Sequence, residues 1–443
     1  MTNQPQTIHP SPRLQGSLTV PGDKSLSHRA VIFNSVAEGT AVVSHFLAGA
    51  DCLATLAIMR QLGVQIEQQE AADGSLTLTV HGVGRAGLRE AEGVLDAQNS
   101  GTTTRLLCGL LAGQPFYSVL IGDPSLSRRP MARVVEPLRV MGAQISGRQS
   151  GRLLPLSIVG HRPLQAASYR LPVASAQVKS AILLAGLYAE GENVLSGKVG
   201  SRDHSERLLR AMGVSLTSTA SLASEDGEIR MVGGASLRAI DVAVPGDFST
   251  AAFWLVAGAI HPNAEISLRG VNLNPTRTGL LDVLREMGAE IVVGNEQEQA
   301  GEPVGDLLVR SSRLHGVTVE GAIIPRLIDE VPILALAAAC AEGPTTIRDA
   351  GEMRVKESDR IAAVSRGLGK LGVQVSELPD GMIISGGAKL RGADLQTYGD
   401  HRLAMTFAIA AGLAVGDSTL DDPACVAVSY PSFWQDYAAL AGR

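Results

Sequence analysis

Cysteine is scarce and carries no pattern. The four residues Cys52, Cys108, Cys340 and Cys425 are scattered along 443 positions with no Cys-x-x-Cys spacing. That excludes a disulfide framework and the common zinc sets, and it fits a reducing, cytoplasmic setting. Cys108 and Cys340 lie in apolar runs and read as free buried thiols. No Walker or Rossmann glycine pattern is present, so neither nucleotide nor metal is implied and no cofactor is expected. Basic charge is not in excess. The net charge is -6 without a basic run, which argues against nucleic acid as a partner. Long apolar runs are missing too. The most apolar stretch, Val331–Ala341, covers about eleven residues against the ~20 of a membrane-spanning helix. The opening MTNQPQTIHPSPR has no apolar core of the secretory kind. Aromatics make up 3% of the chain.

What is abundant is glycine, 49 residues, within a chain that is 45% apolar. That composition reads as a turn-rich α/β enzyme. The length exceeds one ordinary core, and two domains of about 220 residues are the sensible expectation. The glycines are periodic. Apolar helical runs end at Gly39, Gly113, Gly191, Asn263, Gly343 and Gly416, and a second set ends in Leu-Gly or Met-Gly at Gly63, Gly142, Gly213, Gly288 and Gly372. A period of roughly 75 residues marks duplicated supersecondary units. Each unit reads strand, helix, strand, helix, strand. Runs such as ALAAACA are apolar all round, which predicts helices inside and sheets outside. VPGDKS at Val20–Ser25 echoes VPGDFS at Val244–Ser249. We therefore expect two three-unit domains, residues 22–245 and residues 1–21 with 246–443, with hinges at the VPGD copies. The strand in RLQGSLTV is expected to complete the sixth unit.

The starts of the six apolar helices carry polar clusters: Lys24-Ser25, Asn99-Ser100-Gly101-Thr102, Ser175-Ala176-Gln177, Asp247-Phe248-Ser249, Asp329-Glu330 and Asp400-His401-Arg402. Ser, Asn and Asp there are ordinary helix caps. The cations are less ordinary. Lys24, Arg29, Arg105 and Arg402 sit in or near first turns, at the positive end of the helix dipole. A bound anion would resolve that conflict. RVKESDR, Arg354–Arg360, reads as a helix face, with Lys356 and Arg360 four apart and Glu357 between them. A carboxylate beside such cations suits acid–base work on an anionic substrate. SRRP, with Arg128 and Arg129, and SRDHSE, with Arg202, add further cations.

Taken in order, PGDKSLSHR, NSGTTTR, SRRPM, ASAQVKSA, RVKESDR and DHR resemble the EPSP synthase family of enolpyruvyl transferases from Gly16 to Phe433. The resemblance implies an α/β fold of two similar domains, each three βαβαββ repeats forming an inside-out barrel with helices inside. It implies transfer of the enolpyruvyl group of phosphoenolpyruvate to the 5-hydroxyl of shikimate 3-phosphate, on the route to chorismate and the aromatic amino acids. No metal or cofactor is used, the state is usually monomeric, and glyphosate is an expected inhibitor. By motif, Lys24, Ser25, Arg29, Ser175, Ala176, Gln177, Arg202, Asp329 and Lys356 should hold shikimate 3-phosphate. Lys24, Asn99, Gly101, Arg129, Gln177, Arg360 and Arg402 should hold phosphoenolpyruvate. Asp329 matches the proton acceptor at the hydroxyl and Glu357 the acid at the methylene, with Lys24 alongside.

The chain departs from the family at three places. Ala176 stands where many members have Ser, Val428 where many have Lys, and Leu106 where some have Pro. A second enolpyruvyl transferase, acting on UDP-N-acetylglucosamine, shares the six-unit fold. It usually has Asn after the first Lys and a loop Cys. Here Ser25 follows Lys24, and Gly113–Arg129 holds no Cys. A non-enzymatic ring-forming repeat protein, such as a DNA clamp, would need basic inward helices, unlike these apolar ones.

Overall fold

The computed structural model describes residues 4–224 and 226–442. They form two compact units. The first comprises Gly22–Val244 together with Glu298–Glu302; the second comprises the chain up to Pro21, Pro245–Gln297 and the residues from Pro303 onward. The expected boundary at 245 thus falls one residue earlier. Residues 298–302, assigned by sequence to the other domain, group with Gly22–Val244. Glu302 accepts from buried His204 at 2.8 Å, and the Gly301 carbonyl accepts from Arg207 at 3.1 Å.

One repeat of the first unit shows the plan. Strand Leu95–Asp96 leads into helix Gly101–Ala112, strand Tyr117–Ile121, helix Ala132–Val140, and the strands Gln144–Gly147 and Leu153–Val159. Leu95–Asp96 pairs parallel with Tyr117–Ile121, which pairs antiparallel with Leu153–Val159, and Gln144–Gly147 closes the far edge. The next repeat, Ser168–Leu171 to Asp226–Val232, has the same four-strand order. The first helices of the repeats are buried on every side. All of Leu26–Ser35 is buried, as is all of Phe248–Ile260 except Ile260, Val331–Cys340 except Cys340, and His401–Leu413 except Leu413. A helix with no polar face belongs in a core. Each unit is therefore an inside-out α/β barrel, helices within and sheets around them. The second helices end at Gly63, Gly142, Gly213, Gly288 and Gly372 with φ of 90–96°, the left-handed cap that glycine adopts without strain.

The two VPGD copies exchange strands. Leu14–Leu18 runs into helix Lys24–Ser35 along the chain, yet it pairs parallel with Ala264–Asn272 in the fourth repeat. Val242–Ala243 runs into helix Phe248–Ile260, yet it pairs parallel with Glu38–Phe46 in the first. The strand of RLQGSLTV thus completes the fourth unit and not the sixth. The sixth is completed by Gln6–Ile8, antiparallel to Ser418–Leu420. The glycines of VPGD are also not free joints. Gly22 and Gly246 are buried and avoid positive φ. A Cβ on Gly22 would stand 2.0 Å from the His45 carbonyl oxygen, and one on Gly246 2.8 Å from Val20 Cγ2. Close approach, not freedom, requires glycine there.

Five of the fifteen aromatics, Trp254, Tyr430, Phe433, Trp434 and Tyr437, gather in one place. Trp254 stacks on Phe433 at 5.4 Å between centroids and donates its indole N–H to Tyr430 at 2.9 Å. This fixes the last helix, Phe433–Ala441, to the core. No described helix is long and apolar enough to cross a membrane.

Candidate active site

The first cluster lies at the N-terminal ends of the three inner helices in Gly22–Val244. Asp23 caps helix Lys24–Ser35 by accepting from Leu26 N at 2.9 Å. The first helical residue, Lys24, points its ammonium at Asp51 Oδ2, 3.1 Å away. Ser100 caps the next helix through Thr103 N at 3.1 Å, and Thr103 donates to the Asp51 carbonyl at 3.4 Å. Asn99 bridges Asp123 at 2.6 Å and Arg129 at 2.8 Å. Gly101 faces the same cations: a Cβ there would stand 2.8 Å from one Arg105 guanidinium nitrogen and 3.7 Å from one of Arg129. Arg105 donates to Gln177 at 2.6 Å, and Gln177 donates to Thr102 at 2.9 Å. Ser175 caps the helix that Ala176 begins. Asn99, Gly101, Arg129 and Gln177 are thus brought into one group.

Arg29 stands deeper. It is 2% exposed and donates to Ser205 Oγ at 2.8 Å, Ser180 Oγ at 2.7 Å and the Ser25 carbonyl at 2.9 Å. Burial pushes its pKa down to about 10, with Glu206 opposing that fall and Arg202 adding to it. Its charge at neutral pH is secure. Neighbouring His28 is buried and donates to or accepts from Thr55 at 2.7 Å; burial drives its pKa down to about 3, so it is neutral. Arg128 is exposed on its short 3-10 turn.

The second cluster belongs to the other unit and centres on Arg360, 1% exposed. Its Nε donates to Asp400 at 2.8 Å, one terminal nitrogen to Glu357 at 2.7 Å, and the other reaches Asp329 at 3.5 Å. Burial opposes its charge, but Glu357, Asp400 and Asp329 outweigh burial and raise its pKa above the usual range. Asp400 is buried too, and Arg360 holds its carboxyl below the usual value despite that burial. Asp329 also meets Lys356 at 3.4 Å and Arg402 at 3.9 Å, and Arg402 lies 3.8 Å from Glu330.

RVKESDR is not a helix face. Gly351–Val355 is a 3-10 turn, Lys356 is extended, Asp359 caps through Ala362 N at 3.1 Å, and Arg360 is the first residue of helix Arg360–Lys370. Lys356 and Arg360 meet on Asp329 through tertiary placement and not through helical spacing. The dipole conflict is also met from within. Asp51 answers Lys24, Gln177 answers Arg105, and Asp329 with Glu330 answers Arg402. Asp51 and Glu206 escaped the sequence reading because neither has a local signal: Asp51 lies 27 residues from its partner.

The family model of EPSP synthase (3-phosphoshikimate 1-carboxyvinyltransferase) matches residues 8–437. The chain belongs to the EPSP synthase family. The 3-phosphoshikimate 1-carboxyvinyltransferase of Roseiflexus sp. (strain RS-1) is 54% identical over 441 residues, 99% of each chain. That of Chloroflexus aggregans is 54% identical over 435 residues, 98% of each. A solved EPSP synthase from Acinetobacter baumannii superposes with a TM-score of 0.88 at 43% identity, covering 99% of this chain and 98% of that one. The enolpyruvyl transferase NikO from Streptomyces tendae shares the fold at a TM-score of 0.77 and 20% identity, covering 98% and 96%. These likenesses favour the EPSP synthase reading over the UDP-N-acetylglucosamine transferase and the ring protein. Within the EPSP synthase family pattern, Ala176 opens its helix, and Val428 closes the 3-10 turn Pro423–Val428, half-buried. Among the described residues no group of His, Cys, Asp or Glu is placed to hold a metal ion.

Proposed function

We propose that the chain moves the enolpyruvyl group of phosphoenolpyruvate to the 5-hydroxyl of shikimate 3-phosphate, with the two clusters as its working groups. The observation that carries this reading is the pair of carboxylates, Asp329 and Glu357, held by one buried guanidinium. Glu357 delivers a proton to the methylene of phosphoenolpyruvate, making the neighbouring carbon electrophilic. The 5-hydroxyl attacks that carbon and its proton passes to Asp329. In the elimination, a methyl proton returns to Glu357, the C–O bond to phosphate breaks with its electron pair, and the phosphate oxygen takes the proton from Asp329. Two general acid–base groups suffice, each typically worth about 10²–10⁴-fold.

Lys24, Ser25, Arg29, Ser175, Ala176, Gln177, Arg202, Asp329 and Lys356 hold shikimate 3-phosphate. Lys24, Asn99, Gly101, Arg129, Gln177, Arg360 and Arg402 hold phosphoenolpyruvate. These donors are fixed by caps and ion pairs before substrate arrives, so charge developing in the transition state meets dipoles that need no reorganisation. The carboxylates that now face Lys24, Arg360 and Arg402 mark where substrate anions compete for the same donors. The enzyme works in the cytoplasm as a monomer, apart from nucleic acid and membranes.

Phosphate release with phosphoenolpyruvate and shikimate 3-phosphate tests the reaction. Release only with UDP-N-acetylglucosamine as acceptor would sink it. Glyphosate competes with phosphoenolpyruvate. Gly101→Ala pushes a methyl against the flexible end of Arg105, crowding the longer phosphonate before the shorter substrate. Its glyphosate inhibition constant should rise more than its KM for phosphoenolpyruvate. Equal proportional rises would remove Gly101 from discrimination.

A further inference from the structure

Lys179 and Glu206 belong to no step of that reaction, yet they form a fully enclosed ion pair in the Gly22–Val244 unit. Lys179 Nζ lies 2.6 Å from Glu206 Oε1, and the two side chains are 1% and 2% exposed. The same ammonium donates to the Val199 carbonyl at 3.1 Å and the Ser201 carbonyl at 3.0 Å. A lysine has three donors, and all three are committed. The two carbonyls bracket Gly200, and Arg202 follows directly. Glu206 sits on helix His204–Ala211, one residue after Ser205. Ser205 accepts from Arg29 and shares a 2.7 Å hydrogen bond with Ser180, the neighbour of Lys179.

We propose that Lys179 and Glu206 are positioning residues for shikimate 3-phosphate: their pair pins the 199–201 loop that presents Arg202 and the two helices whose Ser180 and Ser205 receive the Arg29 guanidinium. The inference rests on the reading of Arg29 and Arg202 as ligands of that substrate. As a stabiliser alone the pair would be a poor choice, because apolar side chains of similar volume commonly do as well in a core. What an apolar pair cannot do is hold two carbonyls of a glycine-containing loop. Glu206 acts on Arg29 as well. Burial lowers the pKa of Arg29, and Glu206 is the first of the charges that oppose this.

The double variant Lys179→Met with Glu206→Met separates positioning from packing, since it removes both charges at nearly constant volume. The dissociation constant for shikimate 3-phosphate is measured by calorimetry, beside the KM for phosphoenolpyruvate and the melting temperature. The expected result is a melting temperature close to that of the parent, a shikimate 3-phosphate constant raised about tenfold, the scale of one lost hydrogen bond, and a phosphoenolpyruvate KM within about twofold. Unchanged shikimate 3-phosphate affinity, or equal weakening of both ligands, overturns the proposal. Should the double variant not fold, Lys179→Gln decides by the same ratio. Arg202→Met is the companion measurement. If it weakens shikimate 3-phosphate while the double variant does not, positioning alone fails. If it leaves affinity unchanged, the reading of the site fails and the proposal falls with it.

Discussion

Arg360 is the residue through which the second cluster holds together. It is buried, yet stays charged because three carboxylates surround it. Glu357 is the most exposed of the three, as its proposed role as the acid requires. Glu357→Gln keeps an acceptor for Arg360 but has no proton to give. The turnover number should fall about 10²–10⁴-fold with the shikimate 3-phosphate dissociation constant nearly unchanged. A large loss of affinity with little loss of turnover would make Glu357 a structural partner instead. His28 gives a pH dependence. Its folded pKa is about 3, against 6.5 for the free side chain, so between those values the unfolded chain binds the proton and the folded one does not. Stability therefore falls as pH drops through that window, and this residue contributes about 2 kcal/mol of the loss between pH 7.5 and 5. Urea unfolding at the two pH values should show a smaller loss for His28→Gln than for the parent. Equal losses would mean that His28 charges within the fold. The capping role of Ser100 and Asp400 was legible from the sequence because a cap acts over two or three residues. The burial of His28 was not, because it depends on helices far along the chain.

At the scale of elements, helices Gly101–Ala112 and Ala176–Gly186 approach each other backbone to backbone at Gly109. A Cβ on Gly109 would lie 2.0 Å from the Ala181 carbonyl oxygen, the backbone of the next inner helix. No flexible group can yield there. Gly109→Ala should cost about 1–3 kcal/mol or more in chemical denaturation, the range of overpacked cores. Gly369 lies exposed near the end of helix Arg360–Lys370 with nothing within 4 Å of an added methyl. Gly369→Ala should stabilise by about 0.5–1 kcal/mol. If both substitutions shift the midpoint alike, close helix contact is not what glycine serves at 109. The apolar runs made these helices legible. RVKESDR was misread because its charges have helical spacing, whereas Asp359 caps only at the end of the segment and leaves Lys356 outside the helix.

For the whole molecule, substrate binding adds to the stability of the fold. A ligand that binds the folded chain alone stabilises it by RT ln(1 + [L]/Kd), about 2.7 kcal/mol at a hundredfold excess over Kd. Shikimate 3-phosphate should raise the calorimetric melting temperature in proportion to the logarithm of its concentration, and Lys24→Met should need far more ligand for the same rise. A melting temperature indifferent to the ligand would count against the whole assignment. By itself the sequence determined the repeat, the buried helices and the polar clusters at their starts. Capping and all-round apolarity are written within a dozen neighbouring residues, and the repeat shows as that same local pattern recurring roughly every 75 residues. Only the tertiary structure decided which strand joins which sheet. Leu14–Leu18 lies beside Ala264–Asn272 and Val242–Ala243 beside Glu38–Phe46, pairings more than 190 residues apart along the chain. The same holds for the partners of the cations, Asp51 for Lys24 and Glu206 for Lys179. Sheet edges and buried charges choose partners by distance in space, and no local pattern encodes that distance.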